Sequence, residues 1–383
     1  MKKLKHWHSK QVITAATILI VPAFIYQQLP KKPINFPKTE YKANFIANKT
    51  PAMLADYVYD PAKYDKGRLQ NVNHIYYAKS RPTEWDGVKI IYVPANSLAD
   101  FYYDWLPHIK SKFILITTGD ESMPSDLAKP RVSKAPFKWL YDQLYPMRSS
   151  AVDIQKLLGN PMMIKWFADN YDRSVVHNKF SDFPIGIDYI RGENGDNPYL
   201  TGNKTYHKSI AEQDEELNGV LRTLKPTEDR LARVYLDAHL NNTSERHTNN
   251  TIFAAIPSRA TVGKALEGNP LIVQQQEKIS RLEQWQRRGQ YIFSISLVGN
   301  GFDCYRTWES LILGNIVLLQ SSPIDDLFKD MPVVIIKDWN DITEENLAKW
   351  AKKYQGAFSN PKYRERIRAQ YWENVVNKAK ELK

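Results

Sequence analysis

Arg306 and Glu309 stand three residues apart in a stretch whose surroundings prepare them for chemistry. From Tyr291 to Asp341 the chain reads YIFSISLVGNGFDCYRTWESLILGNIVLLQSSPIDDLFKDMPVVIIKDWND. An apolar run ends at Leu297 and enters Gly299-Asn300-Gly301, where two glycines let the backbone approach a ligand closely or simply make a tight turn. Asp303 is placed to N-cap the helix that follows. Arg306 then falls in the first turn of that helix, where the macrodipole disfavours a cation. A cation set against the dipole makes sense when an anion is held there too. The free N–H groups, the glycine turn and the guanidinium would together hold a diphosphate. The competing reading is a surface pair of Arg306 with Asp303 or Glu309. Glu309 lies one turn later on the same face, suited to a ribose diol or to that same pair. Ser322-Pro323-Ile324-Asp325 reads as N-cap, N1 proline and N3 acid of a further helix. Ser321, at the carboxyl end of the preceding strand, is left to touch a ligand.

The elements that must position these residues alternate along the chain. Buried strands are expected at Lys89–Val93, Phe113–Thr117, Met162–Phe167, Ala232–Leu236, Tyr291–Leu297, Ile316–Leu319 and Val333–Ile336. Helical patterns are expected at Ser209–Leu224, Val273–Arg288 and Thr307–Leu313, with Gly314 closing the last. Strand runs separated by helices imply crossover units and mostly parallel sheets. The 383 residues suit two such sheets better than one. In Asn360–Leu382, Tyr363, Ile367, Tyr371 and Val375 recur every four residues, predicting one amphipathic helix.

The net charge of +11 attracts phosphates of any origin. With no run of five basic residues and a single cysteine, neither a basic tail nor a zinc finger is available, and nucleic acid is not the expected partner. Cys304 alone forms no intrachain disulfide. Val12–Tyr26 is an apolar run behind Lys2, Lys3, Lys5 and Lys10, short of the roughly 20 residues that a full span prefers. It reads as a membrane anchor, the alternative being a signal peptide cleaved near Val21-Pro22-Ala23. Lysines flank both sides, so charge hardly orients it. Sequons begin at Asn48, Asn203, Asn241, Asn242 and Asn249 and permit a luminal domain, while a face turned to the cytoplasm stays open.

The segment around Arg306 resembles the exostosin-like glycosyltransferases, in which a strand and Gly-rich turn lead to R-x-W-E-x-x-x-x-G, a buried strand and a V-V-I-x-x-W ending. The matching residues are Arg306, Trp308, Glu309, Gly314, Val333–Ile335 and Trp339, with Asp303-Cys304 before them. Lys165–Asn170, Phe183–Tyr189 and Ile114–Asp120 resemble the family's upstream elements more loosely. The resemblance implies a GT-B-like α/β architecture: two Rossmann-like domains facing a cleft, preceded here by the hydrophobic anchor. The expected organisation is 1–30 tail and anchor, 31–85 stem and uncharacterised segment, 86–228 acceptor-side domain, 229–359 nucleotide-sugar-binding domain and 360–383 C-terminal helix.

The resemblance further implies transfer of a sugar from a nucleotide-diphosphate donor to a glycan or glycoconjugate, with Arg306 facing the diphosphate and Glu309 the ribose or sugar. Gly299, Asn300, Gly301, Asp303 and Ser321 would complete the donor site. Arg259, at the start of an Ala260–Ala265 helix, is a candidate second phosphate ligand. No Asp-x-Asp triplet occurs, so no cofactor is obligatory and a divalent metal, though possible, is not indicated. Candidate acceptor-side bases are Asp120, Glu121 and Asp188, loop carboxylates near strand ends, followed by His177. A catalytically silent protein of the same fold, binding glycans or nucleotide sugars, is the alternative.

Overall fold

Three short runs that sequence periodicity passes over, Tyr57–Val58 (β1), Phe180–Asp182 (β5) and Ile272–Gln274 (β7), complete the architecture as edge strands. The computed structural model describes residues 43–59, 82–119, 122–130, 150–189, 209–240 and 250–382, all within the unit Pro37–Lys383. Lys89–Tyr92 (β2), Phe113–Thr117 (β3) and Met163–Ala168 (β4) join β1 and β5 in a five-stranded sheet ordered β1-β2-β3-β4-β5. Leu231–Leu236 (β6), Tyr291–Ser296 (β8), Ile316–Gln320 (β9) and Val333–Ile336 (β10) form a second sheet with β7, ordered β10-β9-β8-β6-β7. Every pairing in both sheets is parallel. The two-sheet, parallel α/β expectation is met. The seven expected strands appear within a residue or two at each end, because the central strands β3 and β9 are buried throughout and read as continuous apolar runs. The short edge strands β1, β5 and β7 lack that signature, being only two or three residues long with one side unpaired.

The helices are Thr50–Leu54 (α1), Leu98–Asp104 (α2), Ile154–Leu158 (α3), Ile210–Thr223 (α4), Thr251–Ala254 (α5), Arg259–Leu266 (α6), Arg281–Arg288 (α7), Tyr305–Ile312 (α8), Glu344–Lys353 (α9), Pro361–Arg366 (α10) and Ala369–Lys378 (α11). α4 starts at a full capping box between Ser209 and Glu212. α8 ends at Gly314, which adopts φ +85°, a left-handed geometry that a side chain resists, and a Cβ there would stand 3.0 Å from Arg230.

Three helix expectations are corrected. Val273–Arg288 is not one helix: its first residues belong to β7, and α7 begins only after the Ser280 cap, whose hydroxyl accepts from Glu283 N–H. Asn360–Leu382 is broken at Ile367–Arg368, where Arg368 pairs with Phe45 in an isolated bridge. The break shifts the buried stripe by one residue, so Trp372 and Val376 are buried where Tyr371 and Val375 are only half-buried. Asp325–Phe328 is a single 3-10 turn with Ile324 at its N-cap position, so Ser322 caps nothing. The anchor at Val12–Tyr26 lies outside the described residues, among which no helix is long and apolar enough to cross a membrane.

Candidate functional site

In an open parallel sheet, ligands bind beyond the carboxyl ends of the strands at the point where strand order reverses. The first sheet runs in sequence order among the described strands; the second reverses between β6 and β8. Asp237 follows β6 directly, and the Gly299–Gly301 turn follows β8. The chemistry-bearing segment therefore meets the switch point.

A chain of buried charges crosses that point. Asp237 takes the Arg306 Nε–H on one carboxylate oxygen and the Arg288 Nη2–H on the other, which also accepts from Gln284 Nε2 at 2.9 Å. Arg288 then reaches Glu309 through Nη1 at 2.9 Å. Asp237 and Arg288 are buried, 2% and 1% exposed in their side chains, whereas Arg306 is 19% and Glu309 11% exposed. The two buried charges are stable only together. Although burial disfavours the Asp237 carboxylate, the guanidiniums of Arg288 and Arg306 overcome it and bring its pKa down to about 2. The Asp237 and Glu309 carboxylates push that of Arg288 up against its own desolvation.

Arg306 is thus pinned by Nε, with no hydrogen bond from its terminal nitrogens among the described residues. Beside it stands Arg259 in the first turn of α6, whose Nε donates to Val298 O at 2.9 Å. Gln320, at the end of β9, fixes this pair of loops by accepting from Val298 N–H and donating to Pro257 O. Burial lowers the Arg259 pKa, and the neighbouring positive charge of Arg306 lowers it further. Two like charges converge and, among the described residues, Asp237 is the carboxylate that acts on both, which is the electrostatics of an anion subsite. The helix N-terminus of α8 opens on the same place: Cys304 is its N-cap residue and supplies no side-chain cap.

The remaining sequence candidates sort differently. Asp303 does not cap α8. Its buried carboxylate accepts from Trp308 Nε1 at 2.9 and 3.0 Å and from Ile185 N–H at 2.9 Å. That burial raises its pKa to about 7. Gly301 packs on Asn170, whose amide donates to Gly119 O and accepts from Asp303 N–H. Gly299 faces the Arg259 guanidinium and the Cys304 thiol, so it touches the cationic pair. Asn300 is exposed. The Ser321 hydroxyl spends its hydrogen on Asp325 at 2.8 Å, so toward a ligand it can act only as an acceptor. Glu309 pairs with Arg288 through one oxygen rather than with Arg306.

Asn170 and Ile185 lie just past β4 and β5, so their bonds to Asp303 bring the carboxyl ends of the two sheets together. Asp188 arrives by the same segment. It accepts from Asn48 Nδ2, and its backbone carbonyl accepts from Arg281. Burial raises its pKa and the Glu309 carboxylate adds to this, while Lys49 and Arg281 oppose it. His177 accepts from Lys179 N–H through Nδ1 in a turn before β5. Asp120 and Glu121 lie outside the described residues. Among those described, no group of three His, Cys, Asp or Glu is arranged to hold a metal.

Asp237 and Arg288 escaped sequence reasoning. An acid directly after an apolar strand was a usable signal for Asp237. Arg288, in a helix that reads as polar, gave none.

No protein-family model matches the chain, and no curated protein matches it. Several solved structures overlap with it. A UDP-forming α,α-trehalose-phosphate synthase from Burkholderia xenovorans does so at 12% identity and TM-score 0.31, over 77% of this chain and 74% of that one. The corresponding synthase from Burkholderia vietnamiensis gives 11% and 0.29, over 80% and 69%. A trehalose-6-phosphate synthase gives 10% and 0.29, over 76% and 69%. None of these comparisons reaches the exostosin-like family, and overlaps this slight leave the functional reading to the site.

Proposed function

We propose that this protein is a glycosyltransferase of GT-B type that takes a sugar from a nucleotide-diphosphate donor and passes it to a glycan or glycoconjugate. The observation that carries the reading is the pair Arg259 and Arg306, converging at the switch point of the second sheet beside the N-terminus of α8. Sugar transfer builds negative charge on the departing diphosphate, and preorganised cations stabilise that charge as it develops. Arg306 is well suited to this: Asp237 holds it by Nε, so little reorganisation is needed when the anion forms. The Gly299 turn lets the phosphates come near, and the second Glu309 oxygen accepts a hydroxyl of the ribose or sugar. Asp188 is the proposed acceptor-side base among the described candidates, its raised pKa strengthening it for proton removal. The exostosin-like resemblance and the Val12–Tyr26 anchor complete the proposal as a membrane-attached enzyme of that kind.

A second reading, a silent nucleotide-sugar-binding protein, draws on the fact that both Arg306 and Glu309 already have an ionic partner in the protein. The two readings separate in one experiment on the full-length protein. Nucleoside diphosphates and their sugars are screened for thermal stabilisation, since a ligand of the folded state raises it, and hits are assayed for donor hydrolysis and transfer. Stabilisation and turnover that both vanish in Arg306→Ala support the enzyme; stabilisation without turnover supports the silent protein. Unchanged activity in Arg306→Ala sinks the diphosphate site.

A further inference from the structure

The end of α8 remote from Arg306, about 9 Å along the helix axis, borders a cavity of about 260 Å³. Its apolar wall includes Phe45, Leu221, Leu313, Phe358, Tyr363 and Ile367. Three guanidiniums, from Arg230, Arg364 and Arg368, line it together with one carboxylate, Glu228. None of the three arginines has a carboxylate within salt-bridge reach among the described residues. Arg230 donates to Lys225 O and Leu313 O, and burial brings its pKa down to about 10. Arg368 lies 4.4 Å over the Phe45 ring. Arg364 is exposed and its side chain bonds to nothing described. Glu228 spends one oxygen on Gly356 N–H at 2.8 Å.

The lining holds three guanidiniums against the single carboxylate of Glu228, and the one further carboxylate that acts on them among the described residues is Asp214, behind Arg368, so positive charge is in excess. A phosphomonoester carries about −1.5 to −2 near neutral pH and offers three acceptor oxygens to guanidinium forks. The volume suits a few-carbon skeleton rather than a whole nucleotide sugar, since pockets for drug-sized ligands start at roughly 300 Å³. We propose that this cavity is a second ligand site, taking a small phosphomonoester whose phosphate lies among Arg230, Arg364 and Arg368 and whose carbon skeleton lies on the Phe45–Phe358 wall. The position gives such a ligand leverage. The cavity touches both chain crossings between the sheets: Leu224–Arg230 enters the second sheet, and Phe358–Arg368 leads back to α11, where Trp372 packs on Phe183. A bound ligand ties these two crossings together.

The test titrates full-length protein with glycerol 3-phosphate, with inorganic phosphate and with glycerol, read by calorimetry. Saturable binding of glycerol 3-phosphate is expected, tighter than that of inorganic phosphate, with none for glycerol. Arg364→Glu, a change at an exposed and unpaired side chain, is expected to weaken it roughly tenfold or more, while Arg306→Lys leaves it unchanged. Three results overturn the proposal: no saturable binding, indifference to Arg364→Glu, or loss in Arg306→Lys, which would assign the ligand to the diphosphate site. Equal affinity for inorganic phosphate would overturn the part given to the apolar wall.

Discussion

Asp237 holds Arg306 by its Nε–H alone, while its other oxygen is occupied by Arg288 and Gln284. One carboxylate therefore serves two arginines with different duties. Arg288 is buried and depends on it for charge balance; Arg306 is partly exposed and takes only its orientation from it.

This asymmetry separates two substitutions. Asp237→Asn leaves Arg288 with Glu309 as its single carboxylate partner, and breaking a buried pair costs about 3–5 kcal/mol. Arg306→Ala leaves Asp237 paired with Arg288 but takes the donor from its other oxygen, so its stability cost is expected at about 1–3 kcal/mol, below that of Asp237→Asn. Urea unfolding of both variants checks the order. If Arg306→Ala proves as damaging as Asp237→Asn, Arg306 is a structural member of the network and not a poised ligand.

Two glycines of the turn should respond in opposite ways. A Cβ on Gly301 would stand 2.6 Å from the Asn170 amide, which is held on both sides by Gly119 O and Asp303 N–H and has nowhere to move. Gly301→Ala is expected to cost about 1–3 kcal/mol, as overpacking does. A Cβ on Gly299 would stand 3.1 Å from the Arg259 Nη2, the far end of a long side chain that can give, and equally near the Cys304 thiol. Gly299→Ala should thus weaken nucleoside-diphosphate binding more than it weakens the fold. Thermal unfolding with and without the nucleotide distinguishes the two effects.

Asp303 makes stability fall as pH rises. Its pKa goes from the ordinary 3.8 to about 7 on folding, because burial disfavours the carboxylate. Between those values the folded chain binds the proton and the unfolded chain does not, so ΔG of unfolding decreases with pH across that window. The change amounts to something on the order of 4 kcal/mol from this residue. Asp303→Asn keeps an acceptor for Ile185 N–H and Trp308 Nε1 and removes the titration. A flatter stability profile from pH 4 to pH 7 is expected for this variant, and an unchanged slope would show that Asp303 stays ionised in the folded chain.

What the sequence made legible follows from burial. The central strands and the extent of α4 are written locally, as apolar runs and a helical pattern, and are legible within a residue or two. The edge strands β1, β5 and β7 are not, because their pairing is decided by neighbours far along the chain. The site divides in the same way. Arg306 stands out in the sequence because a cation in the first turn of a helix is a local anomaly, and Arg259 is a candidate only beside the exostosin-like resemblance. The Asp237–Arg288 pair is not legible, because an ion pair between residues 51 positions apart has no local signature, even though Asp237 by itself stands where an acid follows an apolar strand. Asp303 shows the converse: local grammar offers it the N-cap of α8, and the distant Ile185 N–H, with Trp308, takes its carboxylate instead.

Asp188 offers the last prediction, because its proposed chemistry and its structural duty can be separated. Its side chain accepts from Asn48, an acceptor role that an asparagine carbonyl can retain, and its backbone carbonyl binds Arg281 whatever the side chain is. Since burial already disfavours the carboxylate, Asp188→Asn should leave stability equal or slightly higher. A general base contributes about 10²–10⁴-fold, so transfer to the acceptor should fall by that factor while donor binding stays intact. The wild-type transfer rate should also decline with acid at a pH above the ordinary carboxylate range, as the raised pKa requires, and Asp188→Asn should abolish that limb. Transfer that survives the substitution with its acid limb in place would remove Asp188 from the mechanism and direct the search for the base to Asp120 and Glu121.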